Sequence, residues 1–305
     1  MRKILLVGST GSIGRATIEV INRHPDQLSL VAICARGYSE TLLDQIQNLK
    51  PRYTIITDPT ARSRLQAEGL DIRDSGLLFE LIRSERVDTL VFAKSGIGLV
   101  ELIIEAIRNK KRVCLATKEV IVSFGELINH ELEKHQGSLL PIDSEHVAIH
   151  QCLDRRRVAD VRRVILTASG GPFHDREDLS QVTVAEALRH PVWPMGKKIT
   201  IDSATMMNKG LEMIEAHYLF RIPEDRIEVL IHPECIIHSL VEFHDSSILA
   251  QLSHPDMRLP IQYALLYPER FPSLVGPLDL AAIKTLTFER PKPERFPCLG
   301  LARGA

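Results

Sequence analysis

Asp143 and Glu145 are two carboxylates whose spacing in the sequence could do chemistry. In an extended stretch they would point to the same side of the chain, because side chains alternate along a strand. Two converging carboxylates repel each other unless a cation lies between them, and hard oxygen ligands suit Mg²⁺ or Mn²⁺. The pair suggests a metal site, and a solvated acidic pair is the alternative that a lone D-x-E pattern leaves open.

A second group lies within residues 203–220, which are predicted to form one long helix. Asn208 and Glu212 are four residues apart and share one helical face, with Lys209 beside them. An amide, an ammonium and a carboxylate on one face could grip a phosphate and supply a further metal ligand. A salt-bridged surface helix is the alternative that spacing alone leaves open.

Two loop segments add further candidates. Ser169 is followed by two glycines, a pattern that suits an anion-binding nest of backbone N–H groups, although a plain turn is an adequate explanation. The segment 190–196 holds the only tryptophan, Trp193, among residues that break helices. We expect either a mobile lid with a hydrophobic cap or a loop in which Trp193 anchors the core.

A glycine-rich turn with the spacing G-x-x-G-x-x-G, set by Gly8, Gly11 and Gly14, follows the first apolar run. Glycines let the backbone approach a pyrophosphate, and the N-terminus of the following helix offers N–H groups, so the turn predicts a dinucleotide site. The next apolar run ends at Ala35 without the acid that usually holds an NAD ribose. Arg36 can meet a 2′-phosphate, which favours NADP, unless it is a solvated loop residue.

The elements that must position these residues alternate through the first half of the chain. Short apolar runs predict strands at residues 4–7, 28–33, 53–57, 89–93, 112–116 and 138–142, with amphipathic helical patterns between them. This alternation predicts a Rossmann-like doubly wound α/β domain, with a parallel sheet, over residues 1–148. Asp143 and Glu145 follow its last strand, at the sheet edge where ligands are expected.

After about residue 150 the pattern predicts an α+β domain over residues 149–267. Strand candidates lie at residues 161–167, 227–231, 236–244 and 247–253, with a short helix near 182–188. Asp245 and Ser246 suit a tight turn between the last two strands of an antiparallel or mixed sheet. Residues 268–305 carry six prolines and are predicted to be an extended linker.

Composition excludes several classes of protein. Lys plus Arg number 38 against 39 for Asp plus Glu, so nothing favours general binding to nucleic acid or to an anionic membrane. Neither a membrane span nor a signal peptide is expected, because no apolar run approaches roughly 20 residues and a strand pattern begins almost at once. The five scattered cysteines are expected to be buried and reduced. These features predict a cytoplasmic protein.

Five strings of the sequence resemble one family in content, order and spacing. They are Gly-Ser-Thr-Gly-Ser-Ile-Gly at 8–14, Ile-Asp-Ser-Glu-His at 142–146, Thr-Ala-Ser-Gly-Gly-Pro-Phe at 167–173, His-Pro-x-Trp at 190–193 and Asp-Ser-Ala-Thr-Met-Met-Asn-Lys-Gly-Leu-Glu at 202–212. The sequence is similar to the 1-deoxy-D-xylulose 5-phosphate reductoisomerase family. The resemblance implies a homodimer that uses NADPH and Mg²⁺ or Mn²⁺, with Co²⁺ as a further choice. It implies conversion of 1-deoxy-D-xylulose 5-phosphate to 2-C-methyl-D-erythritol 4-phosphate, the committed step of non-mevalonate isoprenoid synthesis.

The resemblance also implies roles for individual residues. The metal ligands would be Asp143, Glu145 and Glu212, and the catalytic residues Lys118, Glu145, His190 and Glu212. The substrate would contact Lys118, Ser144, Glu145, Ser169, His190, Trp193, Met195, Ser203, Asn208, Lys209 and Glu212, with Trp193 and Met195 on a closing flap. The cofactor would contact Gly8, Thr10, Gly11, Ser12, Ile13, Gly14, Arg36, Gly37, Tyr38, Thr117, Lys118, Glu119 and Gly196.

Three departures from the family pattern leave alternatives open. Its Asn-Lys-Glu-Ser is Thr117-Lys118-Glu119-Val120 here, its Gly-Lys/Arg-Asn is Arg36-Gly37-Tyr38, and the chain ends where a C-terminal helical domain is expected to begin. One alternative is another NADP-dependent reductase that accepts a polyol or keto-sugar phosphate. The other is a catalytically inactive NADP-binding relative, although such a protein has no need to keep three mutually repelling acids.

Overall fold

The chain forms two compact units, and the structure is a computed structural model that describes residues 1–154, 156–176, 178–193 and 196–304. The first unit contains Met1–Asp143 and Met257–Leu274, and the second contains Ser144–Asp256 and Val275–Ala305. The predicted boundaries at residues 148 and 267 differ from this division, because one helix late in the chain returns to the first unit.

The elements follow one another in the order of the chain. In the first unit they are β1 (Arg2–Val7), α1 (Ser12–Arg23), β2 (Leu28–Ala35), α2 (Glu40–Leu49), β3 (Tyr53–Ile56), α3 (Pro59–Ala67), β4 (Ile72–Arg73), α4 (Gly76–Arg83), β5 (Thr89–Phe92), α5 (Val100–Arg108), β6 (Arg112–Leu115), α6 (Lys118–His135) and β7 (Ser138–Pro141). In the second unit they are α7 (Ser144–Leu153), β8 (Val161–Ala168), α8 (Val184–Ala187), α9 (Lys197–Ala204), α10 (Met207–Phe220), β9 (Ile227–Ile231), β10 (Ile237–Phe243) and β11 (Ile248–Leu252). Then α11 (Arg258–Leu266) rejoins the first unit, and α12 (Leu280–Ile283) and α13 (Pro297–Arg303) belong to the second. Across the described ranges, no helix has both the length and the apolar composition needed to cross a membrane.

The first unit is built on a seven-stranded sheet in the order β4-β3-β2-β1-β5-β6-β7, and all of its strand pairs are parallel. Ile4, Leu6 and Phe92 are fully buried, as strands covered on both faces require. The predicted Rossmann-like doubly wound sheet is confirmed. The edge strand β4 is absent from the prediction, because two residues give no readable alternation.

The helix α11 explains why residues 257–274 return to the first unit. Its residues Ile261, Ala264 and Leu265 are buried in one hydrophobic cluster with Ile4 and Ile21. An apolar helix face joins the core that it completes, whatever its position along the chain. The predicted domain boundary, drawn from sequence order, could not anticipate this contact.

The second unit contains a four-stranded sheet in the order β11-β10-β8-β9. The strand β10 pairs antiparallel with β8 and β11, whereas β8 and β9 are parallel, so the predicted mixed sheet is confirmed. At the predicted turn, the Asp245 carboxylate accepts the N–H of Ser247 at 2.9 Å. Ser246 has a φ of 69°, a left-handed conformation seen mostly in such tight turns.

The helix predicted over residues 203–220 is two helices, so this part of the prediction was wrong. α9 ends at Ala204 and α10 begins at Met207, with Met206 between them at a φ of 56°. A left-handed residue ends a helix, and the burial of the Met206 side chain in the core offsets the cost of that conformation. No glycine or proline marks the break, which is why the apolar pattern reads as continuous.

Residues 275–304, predicted to be an extended linker, pack against the second unit. A Cβ placed on Gly210 of α10 would come 2.8 Å from the Cβ of Ala302 on α13. Phe296 is 3% exposed within the unit's hydrophobic cluster, and Glu289 forms an antiparallel bridge with Ile231. The prolines keep these helices short without preventing the segment from contributing to the core.

Candidate active site

The glycine-rich turn lies where the strand order of the first sheet reverses, between β1 and β5. Gly8 has a φ of 91°, and a Cβ on it would come within 2.7 Å of the carbonyl oxygen of Ala93. A Cβ on Gly14 would lie 2.2 Å from the oxygen of Gly8, so the first turn of α1 packs directly on the loop. Only glycine fits at either position, and this reversal point is where open parallel sheets bind nucleotides.

The N-terminus of α1 suits an anionic ligand. Gly11 is its N-cap residue and contributes no side-chain cap, so the first N–H groups of the helix are not closed off by a cap. The carbonyl of Ser9 accepts a hydrogen bond from the buried Gln45 at 2.8 Å, and that of Thr10 accepts one from Arg15 at 2.8 Å, which holds the loop in shape. These features, with Ser12 and Ile13 in the first turn, fit the pyrophosphate of a dinucleotide.

The tip of β2 is basic, as predicted. Arg36 is exposed, and its carbonyl accepts the N–H of Asp58 at 2.9 Å. A Cβ on Gly37 would touch that of Ala61 on α3 at 3.4 Å. The Tyr38 ring lies against the guanidinium of Arg64, 4.9 Å from the ring centroid. The loop after β2 is therefore packed on α3.

The segment Thr117-Lys118-Glu119 joins β6 to the first turn of α6. Thr117 is buried, and its hydroxyl donates to the carbonyl of Lys94, after β5. The Lys118 Nζ donates to Oδ2 of Asp143 at 2.8 Å, with both side chains largely buried. This ion pair links the carboxyl ends of β6 and β7, and no short-range pattern in the sequence reveals it. Glu119 is half-buried beside it in sequence.

The extended geometry predicted for Asp143 and Glu145 was wrong. Strand β7 ends at Pro141 and α7 begins at Ser144, so Glu145 lies in the first turn of a helix. Asp143 immediately precedes this helix, so strand alternation does not describe how the two carboxylates are presented. The hydroxyl of Ser144, which is buried, donates to Oε2 of Glu145 at 2.6 Å.

Lys209 is the centre of the polar cluster in the second unit. Its Nζ donates to Oε1 of Glu145 at 2.8 Å and also pairs with the Glu212 carboxylate, to which Asn208 donates as well. The side chains of Lys209 and Glu212 are only 5% and 1% exposed. α10 is therefore not a solvated surface helix, because charges buried this deeply must be paired.

The oxygen atoms around Lys209 have the chemistry of a hard-cation site. Glu145 from α7 and Glu212 from α10 converge on one ammonium, so they are close enough to share one cation. Asp143 precedes Glu145 by two residues along the chain. Carboxylate oxygens are the ligands that Mg²⁺ and Mn²⁺ prefer, so Glu145 and Glu212 have the chemistry of divalent-metal ligands.

Ser169 and His190 are in direct contact, with 2.9 Å between Oγ and Nε2. The His190 Nδ1 accepts the backbone N–H groups of Val192 at 3.1 Å and Trp193 at 2.8 Å, so the ring proton lies on Nε2 and is donated to Ser169. Burial lowers the pKa of His190, which favours this neutral ring. Because Ser169 Oγ also accepts the N–H of Gly171, its own hydroxyl proton is the group it can offer to a ligand.

The glycines after Ser169 allow a close approach between two segments of the second unit. Gly170 and Gly171 have φ values of 81° and 71°. A Cβ on Gly171 would come 2.7 Å from the carbonyl oxygen of Ser203, at the end of α9. This loop therefore requires glycine, and it places Ser203 beside the segment that carries Ser169.

Trp193 lies in the loop before α9 and is partly buried. Its ring centroid is 6.3 Å from that of His238. Burial raises the pKa of the nearby Cys235 thiol to about 12. Sequence patterns did not point to Cys235 or His238 as neighbours of Trp193, because neither belongs to a chemical spacing pattern. Gly196 is the exposed N-cap of α9, and the predicted flap residue Met195 lies outside the described residues.

Comparison with known proteins places this chain in a family. A sequence model of 1-deoxy-D-xylulose 5-phosphate reductoisomerase matches residues 4–125, and two models of reductoisomerase C-terminal domains match residues 139–220 and 252–305. The 1-deoxy-D-xylulose 5-phosphate reductoisomerase of a Geobacillus species is 49% identical over 311 residues, covering 99% of this chain and 81% of the relative. The chain belongs to the 1-deoxy-D-xylulose 5-phosphate reductoisomerase family.

Solved structures of 1-deoxy-D-xylulose 5-phosphate reductoisomerases share this fold. The enzyme of Zymomonas mobilis in complex with NADPH is 40% identical with a TM-score of 0.90, covering 99% of this chain and 80% of that one. A reductoisomerase in complex with NADPH, fosmidomycin and magnesium is also 40% identical, with a TM-score of 0.93 and coverage of 100% and 79%. The resemblance predicted from the five sequence strings is confirmed. The segment at residues 268–305, which was predicted to be a linker, lies within the range 252–305 that matches a model of a reductoisomerase C-terminal domain.

Proposed function

We propose that this chain catalyses the NADPH- and divalent-metal-dependent conversion of 1-deoxy-D-xylulose 5-phosphate to 2-C-methyl-D-erythritol 4-phosphate. This isomerisation and reduction is the committed step of non-mevalonate isoprenoid biosynthesis. The observation that carries the proposal is the buried Lys209 ammonium held between the carboxylates of Glu145 and Glu212. Membership of the reductoisomerase family at 49% identity supports it.

The phosphate of the substrate would bind in the second unit. Ser169 offers its hydroxyl proton, because its oxygen already accepts hydrogen bonds from His190 and Gly171. Ser203, Asn208 and Lys209 would complete the phosphate site. A charge-assisted grip on the phosphate positions the reacting carbons without itself taking part in bond making.

The metal would be held by Asp143, Glu145 and Glu212, with Mg²⁺ or Mn²⁺ as the ion and Co²⁺ as a further choice. When bound, the metal polarises substrate oxygens and NADPH supplies the hydride. Lys118, paired with Asp143, and Ser144, bonded to Glu145, would hold the hydroxyl groups of the substrate. The proposed catalytic residues are Lys118, Glu145, His190 and Glu212.

The cofactor would bind to the first unit. The pyrophosphate would contact the turn formed by Gly8, Thr10, Gly11, Ser12, Ile13 and Gly14, where only glycine fits at the first and last positions. Arg36, Gly37 and Tyr38 would contact the adenosine half. The remaining proposed cofactor contacts are Thr117, Lys118, Glu119 and Gly196.

The flap and the assembly complete the proposal. Trp193 and Met195 would cover the bound substrate and exclude water from the reacting atoms. The edge strand β11 exposes Ile248 and Leu249, which suits pairing with a second copy to form a cytoplasmic homodimer.

One assay separates this proposal from its two alternatives. NADPH oxidation is followed with 1-deoxy-D-xylulose 5-phosphate, with and without Mg²⁺ or Mn²⁺, and metal-dependent turnover is expected. Turnover of another keto-sugar phosphate alone would favour a different reductase, and NADPH binding without any turnover would favour an inactive relative. Either result would overturn the proposed function.

A further inference from the structure

A contact between Tyr38 and Arg64 distinguishes the adenosine end of the nucleotide site. The Arg64 guanidinium carbon lies 4.9 Å from the centroid of the Tyr38 ring, within the range of a cation–π interaction. Both groups face solvent, since Tyr38 is 43% exposed and the Arg64 side chain is 66% exposed. An aromatic ring and a guanidinium thus form one accessible surface at the end of β2.

The surroundings fix α3, which carries Arg64, beside the loop after β2. The N–H of Asp58 donates to the carbonyl of Arg36 at 2.9 Å, and the Asp58 carboxylate caps α3 by accepting the N–H of Ala61 at 2.8 Å. Gly37 lies against Ala61, where even a methyl group would touch at 3.4 Å. Arg36 and Arg64 are therefore held at the same strand end, one in the loop and one on the helix.

The sheet order assigns a ligand position to this strand end. The strand β2 is the neighbour of β1, whose glycine turn fits a pyrophosphate, and the adenosine ribose of a dinucleotide lies over the end of that neighbouring strand. An NADP ribose carries its phosphate at the 2′ position, where a forked guanidinium binds best. The strand β3 neighbours β2 on the side away from β1, and α3 follows β3 in the chain. Arg64 on α3 therefore lies on the far side of this ribose position from the turn at Gly8.

We propose that Arg64 is a second guanidinium for the 2′-phosphate of NADPH, oriented by stacking on Tyr38 and acting together with Arg36. This inference rests on the proposed function only in taking NADPH as the cofactor. Stacking on an aromatic face orients a guanidinium without using its N–H donors. The described hydrogen bond of Arg64 runs from Nε to Glu68 at a long 3.3 Å and does not involve the terminal N–H groups, which form the fork.

The test is the binding of NADPH and NADH to the full chain without substrate or metal, measured by nucleotide fluorescence. Arg64→Ala is expected to weaken NADPH binding about tenfold, the order of one charge-assisted hydrogen bond, and to change NADH binding less than about twofold. Arg36→Ala should act in the same direction, and the double variant should lose most of the preference for NADPH. Tyr38→Phe should keep the preference because it keeps the ring, whereas Tyr38→Ala should reduce it.

Arg83→Ala is the matched control. Arg83 also lies over an aromatic ring, that of Phe79, and pairs with a carboxylate, Glu105, but it is in the last turn of α4, before β5 begins, and so lies near the amino ends of the parallel strands rather than at the carboxyl end of β2. It should leave both affinities unchanged. Equal losses of NADPH and NADH in Arg64→Ala, or no loss of either, would overturn the inference. Because no turnover is measured, failure of the proposed reaction would not affect the result for Arg64. A negative result for Arg64 would likewise not affect the proposed reaction.

Discussion

The Nε2 of His190 donates to the Oγ of Ser169 across 2.9 Å, while Nδ1 of the same ring accepts two backbone N–H groups. One neutral ring thus orders both a serine proposed to bind phosphate and the start of the loop that carries Trp193. A positively charged ring could not accept those N–H groups. The contact makes the state of this loop depend on one proton.

The first prediction concerns the titration of His190. Burial lowers its pKa from the ordinary value of 6.5, so the neutral ring stabilises the folded loop fully above pH 6.5, and this contribution is lost as the pH falls through the lower pKa. NMR of the imidazole Cε1–H resonance, assigned with His190→Gln, should give a midpoint below 6.5. A midpoint at or above 6.5 would contradict the neutral tautomer.

The second prediction concerns the buried ammonium. Lys209→Met leaves the Glu145 and Glu212 carboxylates facing each other without their cation, and removing one partner of a buried charge cluster costs about 3 kcal/mol or more. Thermal unfolding should show a lower Tm for this variant, and Mg²⁺ should raise its Tm more than that of the unmodified chain. An equal response to Mg²⁺ in both would argue against a cation site between these carboxylates.

The third prediction concerns Glu212 as a metal ligand. Glu212→Gln keeps the shape of the side chain but removes its charge, so metal-dependent turnover should fall by at least about a hundredfold, the upper end of what losing an outer-shell partner costs. NADPH binding should be unchanged. Glu224→Gln, an exposed substitution in the same unit, should have no effect on either measurement. Undiminished turnover in Glu212→Gln would refute the assignment.

The fourth prediction concerns the glycine turn. Gly8→Ala forces a side chain into a φ of 91° and within 2.7 Å of the Ala93 oxygen, so the first unit should lose about 2 kcal/mol or more of stability, together with affinity for NADPH. Gly98→Ala is the control, because nothing lies within 4 Å of its added Cβ and its φ is ordinary. Denaturant unfolding and NADPH titration of the two variants should differ clearly; equal behaviour would mean that the turn can relax.

Local patterns predicted much of the fold. Seven strands begin where the apolar runs of the sequence predicted them, at residues 28, 53, 89, 112, 138, 161 and 227. The reason is that a buried strand of a parallel or mixed sheet must be apolar over its short length. The glycine turn was also readable, since strand, glycines and helix follow each other within a few residues. Helix breaks that contain no glycine or proline could not be predicted from the sequence, as the break between α9 and α10 at Met206 shows.

The sequence by itself determined the doubly wound domain, the nucleotide turn and the family, because each of these depends on residues close together in the chain. Only the tertiary structure decided that Lys209 lies between Glu145 and Glu212, that Lys118 pairs with Asp143, and that Arg64 lies on Tyr38. Apart from the contact of Lys209 with Glu212 within α10, these pairs join different helices and loops, and their geometry depends on how whole elements pack. Asp143 and Glu145 show the limit most clearly: the sequence named both residues, but a helix that begins at Ser144, rather than an extended strand, sets how they are presented.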